Sequence, residues 1–215
     1  GSLSTTYIPF LWGKVRSLLP YHLIAFAVLW LLEGIYHWEG LKKFIKVSLE
    51  HIPNLFFLQK AGFNFVNINP YEWYISAMLL AIAIIYPLCR KNYKVYTRVV
   101  APLIAIVIYG WLIHDYKTVS NVNAWDIFGY RCVWRAIAGM SLGMFAYEGS
   151  KVLSKENWSK KEQIFFTLLE NVCWIFSVVY VCTEMKSKYE IYVIFMLFIA
   201  IMISFSKEMS LGRKL

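Results

Sequence analysis

The sequence predicts an all-α fold, a polytopic transmembrane helical bundle of about six spans with both termini cytoplasmic, and three observations predict it. The 215 residues are 59% hydrophobic and 18% aromatic but only 16% charged, well beyond what the core of a soluble domain requires. The apolar residues form continuous runs near the roughly 20 residues that a helix needs to cross a bilayer, not the alternation of barrel strands. Lys and Arg, finally, concentrate in alternate short links.

In chain order the runs are 17–35 ("SLLPYHLIAFAVLWLLEGI"), 72–89, 98–114, 132–149, 163–182 and 189–206. Lys14 and Arg16 precede the first. Arg90, Lys91, Lys94 and Arg98 fill the link between the second and third; Lys151, Lys155, Lys160 and Lys161 fill that between the fourth and fifth; Lys207, Arg213 and Lys214 follow the sixth. Positive residues beside short loops stay on the cytoplasmic side, which orients the bundle. The opposite side holds Lys117, Arg131, Lys186 and Lys188 in short links, and Lys42, Lys43, Lys46 and Lys60 in the long segment 36–71.

That segment is read as an extracytoplasmic loop. Within it "LKKFIKVSLEHIPNLFFL" sets Leu41, Phe44, Ile45, Val47 and Leu49 against Lys42, Lys43, Lys46 and Glu50, an imperfect stripe suited to a helix in the interface plane and limited by Pro53. Gly62, Asn64, Asn67, Asn69 and Pro70 then call for irregular backbone leading into a helix near Tyr71. No repeat or linker divides the chain, so residues 1–215 read as a single membrane domain. The start without Met and the stop at "SLGRKL" suggest a piece of something longer.

The net charge of +9 is accounted for by topology and anionic inner-leaflet lipid, and no basic patch interleaved with aromatics indicates nucleic acid. Cys89, Cys132, Cys173 and Cys182 show no metal-ligand or redox spacing and read as small apolar packing residues; no metal and no bound cofactor is expected.

"FLWGKVRSLLPYHL" (10–23), with Phe10, Lys14, Arg16, Pro20 and Tyr21 at these intervals, resembles the segment of the acyltransferase-3 family in which a basic cytoplasmic loop enters a span. "NLFFLQ" followed by "NPYEWYISAMLLAIAIIYPL" is similar to the family's outer loop and next span, and "VWRAIAGMSLGMFAY" to a later Arg- and Gly-rich span. The resemblance covers most of residues 7–150. It implies an integral membrane enzyme that moves an acyl group, commonly acetyl, from a cytoplasmic acyl-CoA to a hydroxyl of a cell-envelope polysaccharide or glycolipid, with the bilayer, acyl-CoA and that glycan as partners and the plasma or inner membrane as its place. The family's proposed catalytic His lies in its first span, eleven residues after an Arg. None of His22, His37, His51 and His114 has that spacing, so the resemblance puts the catalytic residue upstream of this chain, which alone would be an inactive, partial acyltransferase-3 domain.

For the remaining chemistry, Lys14 and Arg16 at the cytoplasmic mouth are candidates for the acyl-CoA phosphates, with topology-setting charge as the competing reading. Trp73 and Ser76, one helical turn apart, are candidates for the acceptor sugar, against an ordinary aromatic belt with Tyr71 and Tyr74. Arg135 shares a face with Gly139 and Gly143 and is expected to point inward to substrate or a carboxylate, or else to snorkel. Glu170 and Asn171 belong to a polar stripe with Thr167, Trp174 and Ser177 that needs a wet cavity or internal partners, Arg135 being the first cation to try. The competing functions are a transporter or flippase-like protein for a polar glycolipid and a non-catalytic membrane scaffold.

Overall fold

The computed structural model describes residues 6–36, 40–57, 73–120, 124–126, 129–183 and 189–206. The irregular stretch around Gly62 to Pro70 lies outside these residues, as do His37, Lys60, Tyr71, Lys186, Lys188, Lys207, Arg213 and Lys214. Each of the six apolar runs falls on a helix, joined by one short β-ribbon: α1 (Tyr7–Tyr36), α4 (Trp73–Lys91), α6 (Ala101–Tyr116), α7 (Arg131–Leu153), α8 (Lys160–Cys182) and α9 (Glu190–Phe205). Among the described residues four helical stretches are long and apolar enough to cross a membrane: α1, α4, Tyr93–Tyr116 and α8. The 23 residues of α7 include Arg131, Arg135, Glu148 and Lys151, which dilute its hydropathy, and α9 is apolar but only 16 residues long.

The described chain clusters into two compact units, residues 1–91 with 122–136, and 92–121 with 137–215. In the first, α1 starts ten residues before its apolar run because Tyr7 and Phe10 pack on α4: the Phe10 and Tyr86 rings stack at 4.0 Å. Pro87 sits inside α4 and has no N–H to offer the carbonyl four residues earlier. That carbonyl, Ala83, accepts the Tyr7 hydroxyl instead at 3.0 Å.

After α1 the chain turns at Gly40, whose φ of 102° favours a residue without Cβ, and enters α2 (Leu41–Glu50) and the single turn α3 (Ile52–Leu55). Pro53 occupies the first turn of α3, where its missing N–H costs nothing. These two helices fold back along α1. Phe44 lies against Gly34 and Trp30, the Trp30 indole donates to Ser48 at 3.0 Å, and further along, His22 meets Asn54.

In the second unit, α5 (Tyr93–Val95) passes through a π-helical turn (Tyr96–Val100) into α6. Pro102 in the first turn of α6 cannot donate to Arg98, which accounts for the widened turn there. At one end of the unit the Tyr93 hydroxyl donates to Glu148 near the end of α7 at 2.7 Å, and the Ser206 hydroxyl beyond α9 reaches the Ser150 carbonyl. The Trp158 indole donates to the Leu153 carbonyl at 3.1 Å, so α8 starts at that end too, behind a Ser159–Glu162 capping box. At the other end, Glu190 at the start of α9 accepts from the Thr118 hydroxyl at 2.9 Å just past α6. The helices of this unit therefore run alternately up and down.

Candidate functional site

The first turn of α4, the β-ribbon and the first turns of α7 meet in one cluster of the first unit. Trp73 and Ser76 project from the start of α4; Trp73 packs with Ala77, Tyr130, Cys132, Val133 and Ala136, and Ser76 is fully buried. Trp73 thus sits half-buried at the edge of the cluster. The ribbon pairs Trp125 with Tyr130 and Asp126 with Gly129, and the Trp125 and Tyr130 rings meet edge to face at 5.1 Å.

Arg131, the first residue of α7, turns back onto the ribbon. Its Nε donates to Asp126 at 3.4 Å, with both side chains about 15% exposed, a pairing that offsets the cost of desolvating each charge. Arg135, one turn later, is half-buried. Two indoles, a phenol and a carboxylate–guanidinium pair are thus carried by adjoining elements, Trp125 exposed, Trp73 half-buried, and Tyr130 and the ion pair largely buried. That is the side-chain chemistry that stacks on a sugar face and hydrogen-bonds its hydroxyls. Asp126, Tyr130 and Trp125 were not singled out from sequence, and the signal available was only "WDIFGY", two aromatics and an acid flanking a turn.

Lys14 and Arg16 are exposed on α1, and the Lys14 ammonium rests 5.7 Å from the Phe10 ring centroid. Both are free to approach an anionic ligand. The structure splits the expected polar stripe of α8, with Ser177 buried and Glu170 half-buried but Asn171 and Trp174 exposed, and its groups bond largely within the helix: Thr167 donates to the Gln163 carbonyl, Asn171 to the Thr167 carbonyl and Ser177 to the Cys173 carbonyl, each at 2.7–2.8 Å. Glu170 accepts from the Ser204 hydroxyl of α9, so its described partner is a hydroxyl, not Arg135. Along α7, Gly139 admits the Tyr109 hydroxyl of α6, 3.3 Å from where a Cβ would lie, while Gly143 faces open space.

Two polar clusters escaped the sequence reading. Midway along α1, buried His22 donates through Nε2 to the Asn54 carbonyl at 2.8 Å, and the Asn54 amide nitrogen lies 3.3 Å from Nδ1 of buried His51. A His inside an apolar run was the available signal. In the second unit, buried Glu148 accepts from Tyr93 and from Lys151, both at 2.7 Å, with Arg98 at 3.9 Å. The hydrogen bond to Glu148 holds the Lys151 ammonium above its ordinary lysine range, against a smaller opposing push from burial.

Among the described residues no three His, Cys, Asp or Glu side chains gather to hold a metal ion. Compared with known proteins, the chain matches no family profile, no curated protein and no solved structure.

Proposed function

We propose that this chain is the membrane-embedded acceptor-binding part of an O-acyltransferase of the plasma or inner membrane, moving an acyl group, in the first instance acetyl, from acyl-CoA to a hydroxyl of a cell-envelope polysaccharide or glycolipid. In this reading six helices cross the bilayer with both termini cytoplasmic. Lys14 and Arg16 hold the CoA phosphates, Trp73 stacks on the acceptor ring, Ser76 braces that turn from within, and Arg135 contacts the acceptor or the acyl carbonyl. The observation that carries the reading is the gathering of Trp73, Trp125, Tyr130 and the Arg131–Asp126 pair around the first turn of α4. Ester formation needs a base for the acceptor proton and donors for the tetrahedral oxyanion. The resemblance to acyltransferase-3 proteins implies that the base lies outside these 215 residues.

The test is transfer from radiolabelled acetyl-CoA to envelope glycan in proteoliposomes of the full-length gene product. Trp73→Ala is expected to lower transfer to the acceptor about tenfold, the scale of a lost aromatic contact, with hydrolysis of the donor unchanged. Equal loss of both activities contradicts an acceptor role for Trp73. A transporter for a polar glycolipid is the second reading, favoured by Glu170 within an apolar helix; it predicts movement of glycolipid across the vesicle with no turnover of acetyl-CoA.

A further inference from the structure

Two faces of α8 repeat at alternating steps of three and four residues. Glu170 and Cys173 face α9, through the Ser204 hydroxyl and the Cys173–Met196 contact, and Ser177 one turn on is buried. The second stripe is Ile164, Leu168, Asn171, Ile175, Val178 and Cys182, in steps of four, three, four, three and four. That is the 3.5-residue period of a helix–helix seam. All six residues are exposed, and the four aliphatic ones are between 51% and 62% so.

Asn171 stands eleven residues from each end of α8 (171 − 160 and 182 − 171), about 17 Å from either end at 1.5 Å per residue. If α8 crosses the bilayer, its carboxamide lies at mid-depth. One of its N–H groups is spent on the Thr167 carbonyl. Its second N–H and its oxygen lie on an exposed face with no further described partner, and a lipid tail at that depth would offer neither an acceptor nor a donor.

We propose that this stripe is the interface of a parallel homodimer in which α8 pairs with α8 of a second copy across a two-fold axis along the membrane normal. The occupant follows from symmetry and chemistry together. All copies of one membrane protein insert with the same orientation, so such an axis brings each residue against its own counterpart at the same depth. A carboxamide is both donor and acceptor, and Asn171 is complementary to Asn171 of a second copy through two reciprocal hydrogen bonds. A lipid tail cannot satisfy it, and a different helix must place a matching polar group at that one level. The aliphatic residues above and below supply the interdigitation that positions the pair, as an Asn within an apolar seam fixes register in two-stranded coiled coils. The proposal does not depend on the acyl-transfer reading.

The test is single-molecule photobleaching of the fluorescently labelled full chain in liposomes over increasing lipid dilution. Wild type is expected to bleach in two steps. Asn171→Val should weaken association about tenfold, and Asn171→Gln, which keeps the carboxamide, should retain it. Independently of any variant's folding, Cys182 closes the seam and is exposed. Oxidant should therefore couple wild-type chains through Cys182, and couple a Val181→Cys, Cys182→Ser variant, whose thiol lies off the seam, far more slowly. A chain that stays monomeric at every dilution, an Asn171→Val chain that associates like wild type, or equal coupling from positions 181 and 182 overturns the proposal. So does capture of a different membrane protein on this face by a chain that does not self-associate.

Discussion

Pro87 removes one N–H from within an apolar helix, near its C-terminal end, and the Tyr7 hydroxyl replaces it at the Ala83 carbonyl. The exchange is testable. Tyr7→Phe leaves that carbonyl without its described donor and should lower stability by about 1–3 kcal/mol, read as thermal unfolding in detergent. In a Pro87→Ala background the backbone N–H returns, and the same substitution should cost markedly less; equal costs in the two backgrounds would separate Pro87 from Tyr7. Glu148 is a second such residue, since it is buried among Tyr93, Lys151 and Arg98. Glu148→Gln should destabilise the second unit by about 1–3 kcal/mol. Because the Lys151 pKa is raised in the folded state, its contribution is fully present at neutral pH and is lost as pH climbs past the ordinary lysine value into the raised folded one. Alkaline titration of wild type should show that loss, and Glu148→Gln should lack it.

At the scale of elements, the fold-back of α2 and α3 along α1 depends on close approach at Gly34. A Cβ there would lie 2.6 Å from the Phe44 ring. Gly34→Ala should loosen the hairpin by about 1–3 kcal/mol, the usual overpacking cost, whereas Gly149→Ala meets only the flexible Met202 thioether at 2.9 Å and should cost less. Thermal unfolding of the two variants in detergent would report the difference. The helices themselves were legible in the sequence because a bilayer-length apolar run is a local signal, and the Trp73–Ser76 turn was legible because residues three apart on a helix share a face. The early start of α1 was not: residues 7–16 are held in α1 by packing on Tyr86, not by hydropathy. Nor were the partners. His22 and Asn54 are 32 positions apart, and periodicity says which face is apolar but not what covers it. The helical stripe of α2 was legible, but instead of standing apart in an interface plane the helix folds back along α1 through the Gly34–Phe44 and Trp30–Ser48 contacts, which no composition reveals. In the candidate site, Asp126 was overlooked because an acid beside a two-residue strand resembles any polar turn.

At the scale of the whole molecule, the alternation of helices in the second unit gathers Lys94, Lys151 and Lys160 at one end and Lys117 at the other, each link placed by its end contacts. A chain that crosses a bilayer with its basic links inside would need this grouping. If α8 also pairs with itself, association would raise apparent stability with the logarithm of protein density in the membrane. Both ideas rest on the chain lying across a lipid barrier in that orientation. The most direct measurement is labelling of single cysteines at positions 94, 160 and 117, in a background without the four native ones, by an impermeant maleimide on intact cells. The account predicts rapid labelling at 117 and labelling at 94 and 160 only after the membrane is permeabilised. Labelling of 94 and 160 on intact cells with 117 protected would invert the topology, and equal labelling of all three before permeabilisation would mean that the chain does not span the membrane.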